Sequence, residues 1–400
     1  MSVTAAQGFV AAGVAAGIKA QGKPDLSLVA TADHRPVTAA GVFTTNLVAA
    51  APVQLSRRHL AAEGRAAAVV LNSGNANAAT GEPGLLVAEQ TAALVAGGLG
   101  CERGHVLVCS TGLIGIPLPI DPFSTGVPAA VAALAPSLEA GHSAARAIMT
   151  TDTVAKEAFT AFDVAGAPVT VGGMAKGAAM LSPAMATMLA VITTDAVVEP
   201  KVLQAALTRA VDESFNLMTT DGSRSTNDTV LVLAGGAAGN APITSGTLEA
   251  HALTDALTLV CASLSDQMAH DAEGATKFVR LTVKGARSNP EALQAARAVA
   301  QSQLVKCSLF GGDPYWGRVL SELGASGVYL EPERVDISYN GITVCACGVA
   351  APAHDAEALA KSMQQKEIEV VADLCLGNGE ATVTTVDLTP GYIDENMRTS

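Results

Sequence analysis

Short apolar runs, each closed by a polar loop, recur along this chain and constrain its fold more than any other feature. Ala66–Leu71 (AAAVVL) is such a run, followed by Asn72-Ser-Gly-Asn-Ala-Asn77. Val106–Val108 precedes a second polar loop, Ser110-Thr-Gly112, and from Thr187 the run TMLAVITTD has the same character. Runs this short and this rich in Val and Ala read as buried strands. Between them the apolar spacing changes to that of helices. A helix starts near Glu199-Pro200, with Leu203, Ala206, Leu207, Ala210 and Val211 on one face, and another carries Leu253, Leu257, Val260, Leu264 and Met268. After the polar segment Asp271–Thr276, Val279, Leu281 and Val283 alternate as one face of a strand. Asn289-Pro290 reads as an N-cap followed by N1 for a helix carrying Leu293, Ala296 and Leu304. Further strands are predicted at Val335–Tyr339, Thr343–Cys347, Ile368–Leu374 and Ala381–Val386. Several strands are adjacent in sequence, so layers of an α+β kind are expected rather than a doubly wound fold.

Only 3% of the residues are aromatic although 49% are hydrophobic, so Ala, Val and Leu must fill the core and thin elements must pack closely. A chain of 400 residues is long enough for more than one folding unit. Its net charge of −13 repels phosphate backbones and disfavours nucleic-acid binding. The seven cysteines, at 101, 109, 261, 307, 345, 347 and 375, are odd in number and match no zinc spacing. They read as buried, reduced thiols. The apolar stretch Gly8–Ile18 has no basic residues before it and is too short to span a bilayer. The expectation is a cytoplasmic protein with no membrane partner.

Local motifs alone leave the chemistry open. Gly172-Gly-Met-Ala-Lys-Gly177 lacks the G-K-[ST] ending of a phosphate loop, and its plainer reading is a glycine-rich turn with a solvated lysine. Asp221–Thr229 is dense in acceptors but has no calcium-loop pattern, and reads equally well as a loop that caps its own backbone. Thr150-Thr-Asp-Thr153 and Thr193-Thr-Asp195 read by default as helix caps. No histidine sits at metal spacing or in a triad context.

The segment Lys176-Gly-Ala-Ala-Met-Leu-Ser-Pro-Ala-Met-Ala-Thr-Met-Leu189 resembles the self-cleavage region of the ornithine acetyltransferase (glutamate N-acetyltransferase) family, whose pattern K-G-x-G-M-[IL]-x-P-x-[ML]-A-T-[ML]-L carries the nucleophilic threonine. Ala179 stands where that family often has glycine. Further blocks match in order along the chain: Ala16–Lys19, Val42–Thr44, Asn72–Asn77, Cys109–Gly115, Ile148–Asp152, Ser225–Thr229, Asp271–Gly274 and Asp313–Arg318. Leu217–Gly222 differs from the family's more usual approach to its I-D-G sequence.

The resemblance implies a layered αββα sandwich of the N-terminal-nucleophile type and self-cleavage between Ala186 and Thr187. The products are an alpha chain, 1–186, and a beta chain, 187–400, that bears the nucleophile and a C-terminal lobe. It implies acetyl transfer from N-acetyl-L-ornithine to L-glutamate in arginine biosynthesis, through an acetyl group on Thr187. Thr111 and Gly112 then form the oxyanion hole, and Thr150, Lys176, Thr187, Glu273, Asn396 and Ser400 contact substrate. The tail holding Asn396 and Ser400 is one residue shorter than the family's usual spacing. The resemblance implies no cofactor, beyond acetyl-CoA as co-substrate of a bifunctional enzyme, and a heterotetramer of two alpha and two beta chains. Residue chemistry agrees with such roles. A free α-amine on Thr187, with a reference pKa of about 7.7–8.0, is partly neutral near pH 7 and suits a general base for its own hydroxyl. Competing readings are a bifunctional donor range, a secondary-metabolism paralogue, an N-terminal-nucleophile amidohydrolase or aminopeptidase, and a non-catalytic binding protein.

Overall fold

The computed structural model describes residues 2–181, 188–353 and 355–397; Ala186, Thr187 and Ser400 lie outside them. The chain divides into two compact units. One comprises Met1–Asn216 with Ser223–Met268, and the other Leu217–Gly222 with Ala269–Thr399.

The first unit is built on two sheets. A four-stranded sheet runs in the order Phe9–Val14, Leu26–Thr31, Ala68–Asn75, Val106–Leu113. A six-stranded sheet runs in the order Arg65–Ala66, Val37–Phe43, Thr229–Ala234, Leu189–Thr194, Ala167–Lys176, Lys156–Val164. Strand side chains alternate between faces, so each sheet offers two surfaces. Val69, Leu71, Leu107 and Cys109 of the smaller sheet share one core with Met174, Leu189, Val191, Leu231 and Leu233 of the larger. The opposite parity of the smaller sheet, including Leu28, Val70, Val106 and Val108, packs against Leu55 of helix Ala51–Glu63, Val95 of helix Gly81–Leu99 and Phe123 of helix Asp121–Ala132. Helix Pro200–Asp212 packs against Val37–Phe43, and Val260 and Leu264 of helix Leu248–His270 face Gly173. The result is the expected αββα sandwich, with helices outside and two sheets face to face within.

The apolar stretch near the N-terminus is a core strand. Small residues let its backbone approach its neighbours, as the low aromatic content requires. A Cβ added to Gly13 would sit 2.0 Å from the Ser143 carbonyl oxygen of helix Leu138–Ala147. That neighbour is backbone and cannot rotate away. Gly13→Ala is therefore expected to destabilise the protein by about 1–3 kcal/mol or more, read as an earlier urea midpoint.

The second unit holds a seven-stranded sheet in the order Met218–Thr219, Gly379–Val386, Phe278–Ala286, Glu367–Asp373, Asp336–Tyr339, Ile342–Ala346, Val349–Ala350. Val279, Leu281 and Val283 do share a buried face, in one core with Ala296, Val299, Leu309 and Leu323 of the packed helices. Two details differ from the sequence expectation. The cap of helix Asn289–Gln301 is Ser288, whose hydroxyl accepts from Glu291 N–H, while Asn289 Oδ1 accepts from Glu380 N–H across the fold. Leu304 belongs to the next helix, Gln303–Phe310, and is 59% exposed. The thiols also divide: Cys109, Cys261 and Cys345 are buried, but Cys307, Cys347 and Cys375 are exposed rather than inside. Among the described residues no helix is long and apolar enough to cross a membrane.

The described residues on either side of the expected cleavage point belong to the first unit. The six-stranded sheet takes Ala167–Lys176 from before it and Leu189–Thr194 from after it, with Lys176 in register opposite Leu189. The expected products 1–186 and 187–400 thus contribute neighbouring strands to one sheet.

Candidate active site

Two parallel strands of the smaller sheet, Ala68–Asn75 and Val106–Leu113, bring polar residues to their shared end. Segments read from sequence as loops, Asn72–Asn75 and Ser110–Gly112, continue these strands, with Ser73 opposite Thr111 and Gly74 opposite Gly112. Side chains tie the ends together. Ser110 Oγ donates to Asn72 Oδ1 at 2.6 Å, and Asn72 Nδ2 to the Asn75 carbonyl at 2.9 Å. Asn227 Nδ2 donates to the carbonyls of Ala76 and Ser110, at 2.6 and 2.8 Å. The 221–229 segment therefore caps more than its own backbone.

Thr111 is 1% exposed, whereas Gly112 is open to the surface. Gly112 has φ +135°, and a Cβ there would lie 2.3 Å from the Gly74 carbonyl carbon. Only glycine fits. Ala76, Thr111, Gly112, Ile114, Met180, Ser225, Thr226 and Asn227 line a small cavity of about 20 Å³.

Lys176 corrects a sequence expectation. It ends the strand Ala167–Lys176, is 2% exposed, and is neither solvated nor part of a turn. Its Nζ donates to Thr111 Oγ1 at 3.4 Å and lies 3.8 Å from Asp152 Oδ2. Asp152 in turn binds Lys156 Nζ at 2.7 Å, Gly177 N–H at 2.7 Å and Thr150 N–H at 3.0 Å. Thr150–Thr153 is thus no helix cap, because Asp152 is used by a strand hairpin and a cation pair. Thr193–Asp195 likewise ends a strand: Asp195 accepts from Thr170 and Gln7 N–H groups.

Burial works against ionisation of Asp152, but the ammoniums of Lys176 and Lys156 prevail and hold its carboxyl well below the usual carboxylate range. Lys19 adds a third cation. Its Nζ donates to the Met149 carbonyl, and burial, with Lys176 nearby, lowers its pKa. Asp228 behaves oppositely. Burial pushes its carboxyl well up, toward the neutral acid, while Oδ1 accepts from the N–H of Met188, the residue that follows Thr187. Sequence reading did not single out Asp152, Lys156 or Asp228. Asp152 and Asp228 do lie in the quoted blocks Ile148–Asp152 and Ser225–Thr229, which were the available signal.

Thr111, Gly112, Thr150 and Lys176 therefore meet in the first unit. In the second unit, Glu273 is half-buried and its Oε2 accepts from Asn396 Nδ2 at 2.7 Å. Asp387 fixes the neighbouring backbone by accepting from the N–H groups of Thr276 and Lys277. Thr389 Oγ1 donates to the Gly274 carbonyl, securing the same loop.

The ArgJ family model matches residues 10–399. The arginine biosynthesis bifunctional protein ArgJ of Symbiobacterium thermophilum is 49% identical over 396 residues, covering 98% of this chain and 97% of that protein. The protein of the same name from Mycolicibacterium paratuberculosis is 49% identical over 399 residues, covering 98% and 95%. Among solved structures, the arginine biosynthesis bifunctional protein argJ of Bacillus halodurans is 35% identical, with a TM-score of 0.49 over 51% of this chain and 96% of that one. An ornithine acetyltransferase from Mycobacterium tuberculosis complexed with ornithine is 45% identical, with a TM-score of 0.41 over 46% of this chain and 94% of that one.

Proposed function

The chain belongs to the ArgJ family, and on that premise we propose that this acetyltransferase of arginine biosynthesis moves acetyl from N-acetyl-L-ornithine to L-glutamate through Thr187. The supporting observation is the meeting of Thr111, Gly112, Thr150 and Lys176 in one unit although 65 residues separate Thr111 from Lys176.

In this reading the chain first cuts itself between Ala186 and Thr187. The α-amine so formed takes the proton of the Thr187 hydroxyl as its oxygen attacks the acetyl carbonyl. Thr111 Oγ1 and the Gly112 N–H receive the developing oxyanion. The C–N bond then breaks, the amine returns the proton to the leaving ornithine, and acetyl remains on Thr187 as an ester. The glutamate amine attacks that ester, the C–O bond breaks, and the Thr187 oxygen recovers a proton. A secondary amide is exchanged for another, so excluding water from the ester matters more than driving force. The proposed route requires no metal and no nucleotide. Lys176 takes the α-carboxylate common to both substrates, and Glu273 the side-chain amine of ornithine. Thr150, Asn396 and Ser400 are proposed as further substrate contacts. Products 1–186 and 187–400, which contribute strands to one sheet, are proposed to stay associated in a heterotetramer of two alpha and two beta chains.

The test is steady-state transfer. Purified protein given N-acetylornithine should release ornithine continuously only when glutamate is present. Release at the same rate without glutamate would make the protein an amidohydrolase instead. A second reading, that acetyl-CoA also donates to glutamate, is favoured by the name of the relatives, "bifunctional". N-acetylglutamate formed from acetyl-CoA and glutamate alone is the result it requires.

Glu273→Gln is expected to raise KM for N-acetylornithine about tenfold or more, as loss of a charge-assisted contact does, and to change KM for glutamate far less. Only ornithine carries a side-chain cation. Equal effects on both half-reactions would remove the pairing.

A further inference from the structure

From the packing around Lys176 we infer that Asp152 is a positioning residue: it sets the Lys176 ammonium to receive the substrate α-carboxylate and fixes Thr150 beside it. The inference rests on the acetyltransferase reading above and deepens it at the carboxylate end of the substrate.

The Asp152 carboxylate is fully buried. Its Oδ1 accepts from Lys156 Nζ and Gly177 N–H, each at 2.7 Å. Its Oδ2 accepts from Thr150 N–H at 3.0 Å, with Thr150 Oγ1 at 3.5 Å and Lys176 Nζ at 3.8 Å. One side chain therefore gathers the backbone of Thr150, the start of the segment after Lys176, and Lys176 itself. Lys176 Nζ in turn reaches Thr111 Oγ1 at 3.4 Å.

The charges are unequal in a useful way. Among the described residues two buried ammoniums face the Asp152 carboxylate, and the tighter pair is with Lys156, whose side chain is fully buried. Burial drives Asp228, a further acid near Lys176, toward its neutral form, and Lys19, with Asp25 beside it, also lies near Lys176. An ammonium held where Thr111 and Lys176 meet suits an anionic ligand. Lys156 is the reason the carboxylate can hold Lys176 in place without cancelling it. Without Asp152 the two ammoniums would repel each other, and Lys176 would lose its fixed direction.

The experiment compares equilibrium binding of ornithine with that of putrescine, the same diamine without the carboxylate. It uses the purified wild type, Asp152→Asn, Lys176→Met and the double variant. The wild type should favour ornithine strongly. Asp152→Asn removes the charge and keeps one acceptor oxygen in place of two, enough for either the Gly177 N–H now on Oδ1 or the Thr150 N–H now on Oδ2, and should cut that preference about 30-fold while putrescine affinity stays within a few-fold. The double variant should lose no more than the larger single loss, because both changes act on one contact. In turnover, KM should rise more than kcat falls.

Should Asp152→Asn not fold, Lys156→Met serves. It leaves Asp152 paired to Lys176, replaces a buried chain by one of similar length, and should also cut the ornithine preference, since Lys156 no longer shares the Asp152 carboxylate with Lys176. A wild type that binds putrescine as well as ornithine would overturn the functional reading and the role of Asp152 with it. A wild type that discriminates, with Asp152→Asn or Lys156→Met discriminating equally well, would overturn the positioning role alone. Additive losses for Asp152→Asn and Lys176→Met would do the same.

Discussion

Thr187→Ala is expected to leave one 400-residue chain that neither cuts itself nor transfers acetyl. The same hydroxyl is proposed to attack first the Ala186 carbonyl and then the acetyl carbonyl, so one substitution removes both nucleophilic events. Denaturing mass spectrometry should find the wild type as pieces 1–186 and 187–400 and the variant intact. Thr187→Ser retains an oxygen but lacks the methyl that restricts χ1, so it should cut and turn over slowly rather than not at all. A threonine that merely packs would behave differently: Ala and Ser would act alike, with modest loss of stability and normal turnover. Wild-type protein given N-acetylornithine without glutamate should gain one acetyl mass on the 187–400 piece, at Thr187, and lose it when glutamate is added. An active enzyme that never carries acetyl there, even after rapid quenching, would point to direct transfer between substrates.

Thr111→Ala should lower kcat by about 100- to 1,000-fold, the usual cost of losing one oxyanion-hole donor. KM should move much less, because the hydroxyl is proposed to act on charge that develops only in the transition state. The packing makes the test clean in one respect. Thr111 is buried at the end of a strand whose neighbours Ser110 and Gly112 are held by Asn72, Asn227 and the Gly74 backbone, so the strand should keep its place. Lys176 Nζ lies 3.4 Å from Thr111 Oγ1, so some loss of ground-state binding through Lys176 is expected too. A loss confined to KM would make Thr111 a substrate contact and leave Gly112 as the only proposed oxyanion donor.

Local pattern determined much about this protein. The helical faces at 200–212 and 248–270, the alternation of Val279, Leu281 and Val283, and most C-terminal strands were legible because burial on one face leaves a period in the sequence. The ordered motif blocks carried the family. Three features were decided by tertiary structure alone. Gly172–Lys176 reads as a turn, since glycines and a lysine mark loops, but strands on both sides supply its hydrogen bonds and make it a core strand. Ser110–Gly112 and Asn72–Asn75 read as loops for the same reason, yet each is the other's ladder partner, and polarity says nothing about a partner distant in sequence. Lys176 looked solvated because an isolated lysine pays heavily for burial. What reverses that is Asp152, itself held by Lys156, and such compensation exists only when segments 24 residues apart in sequence fold onto one another.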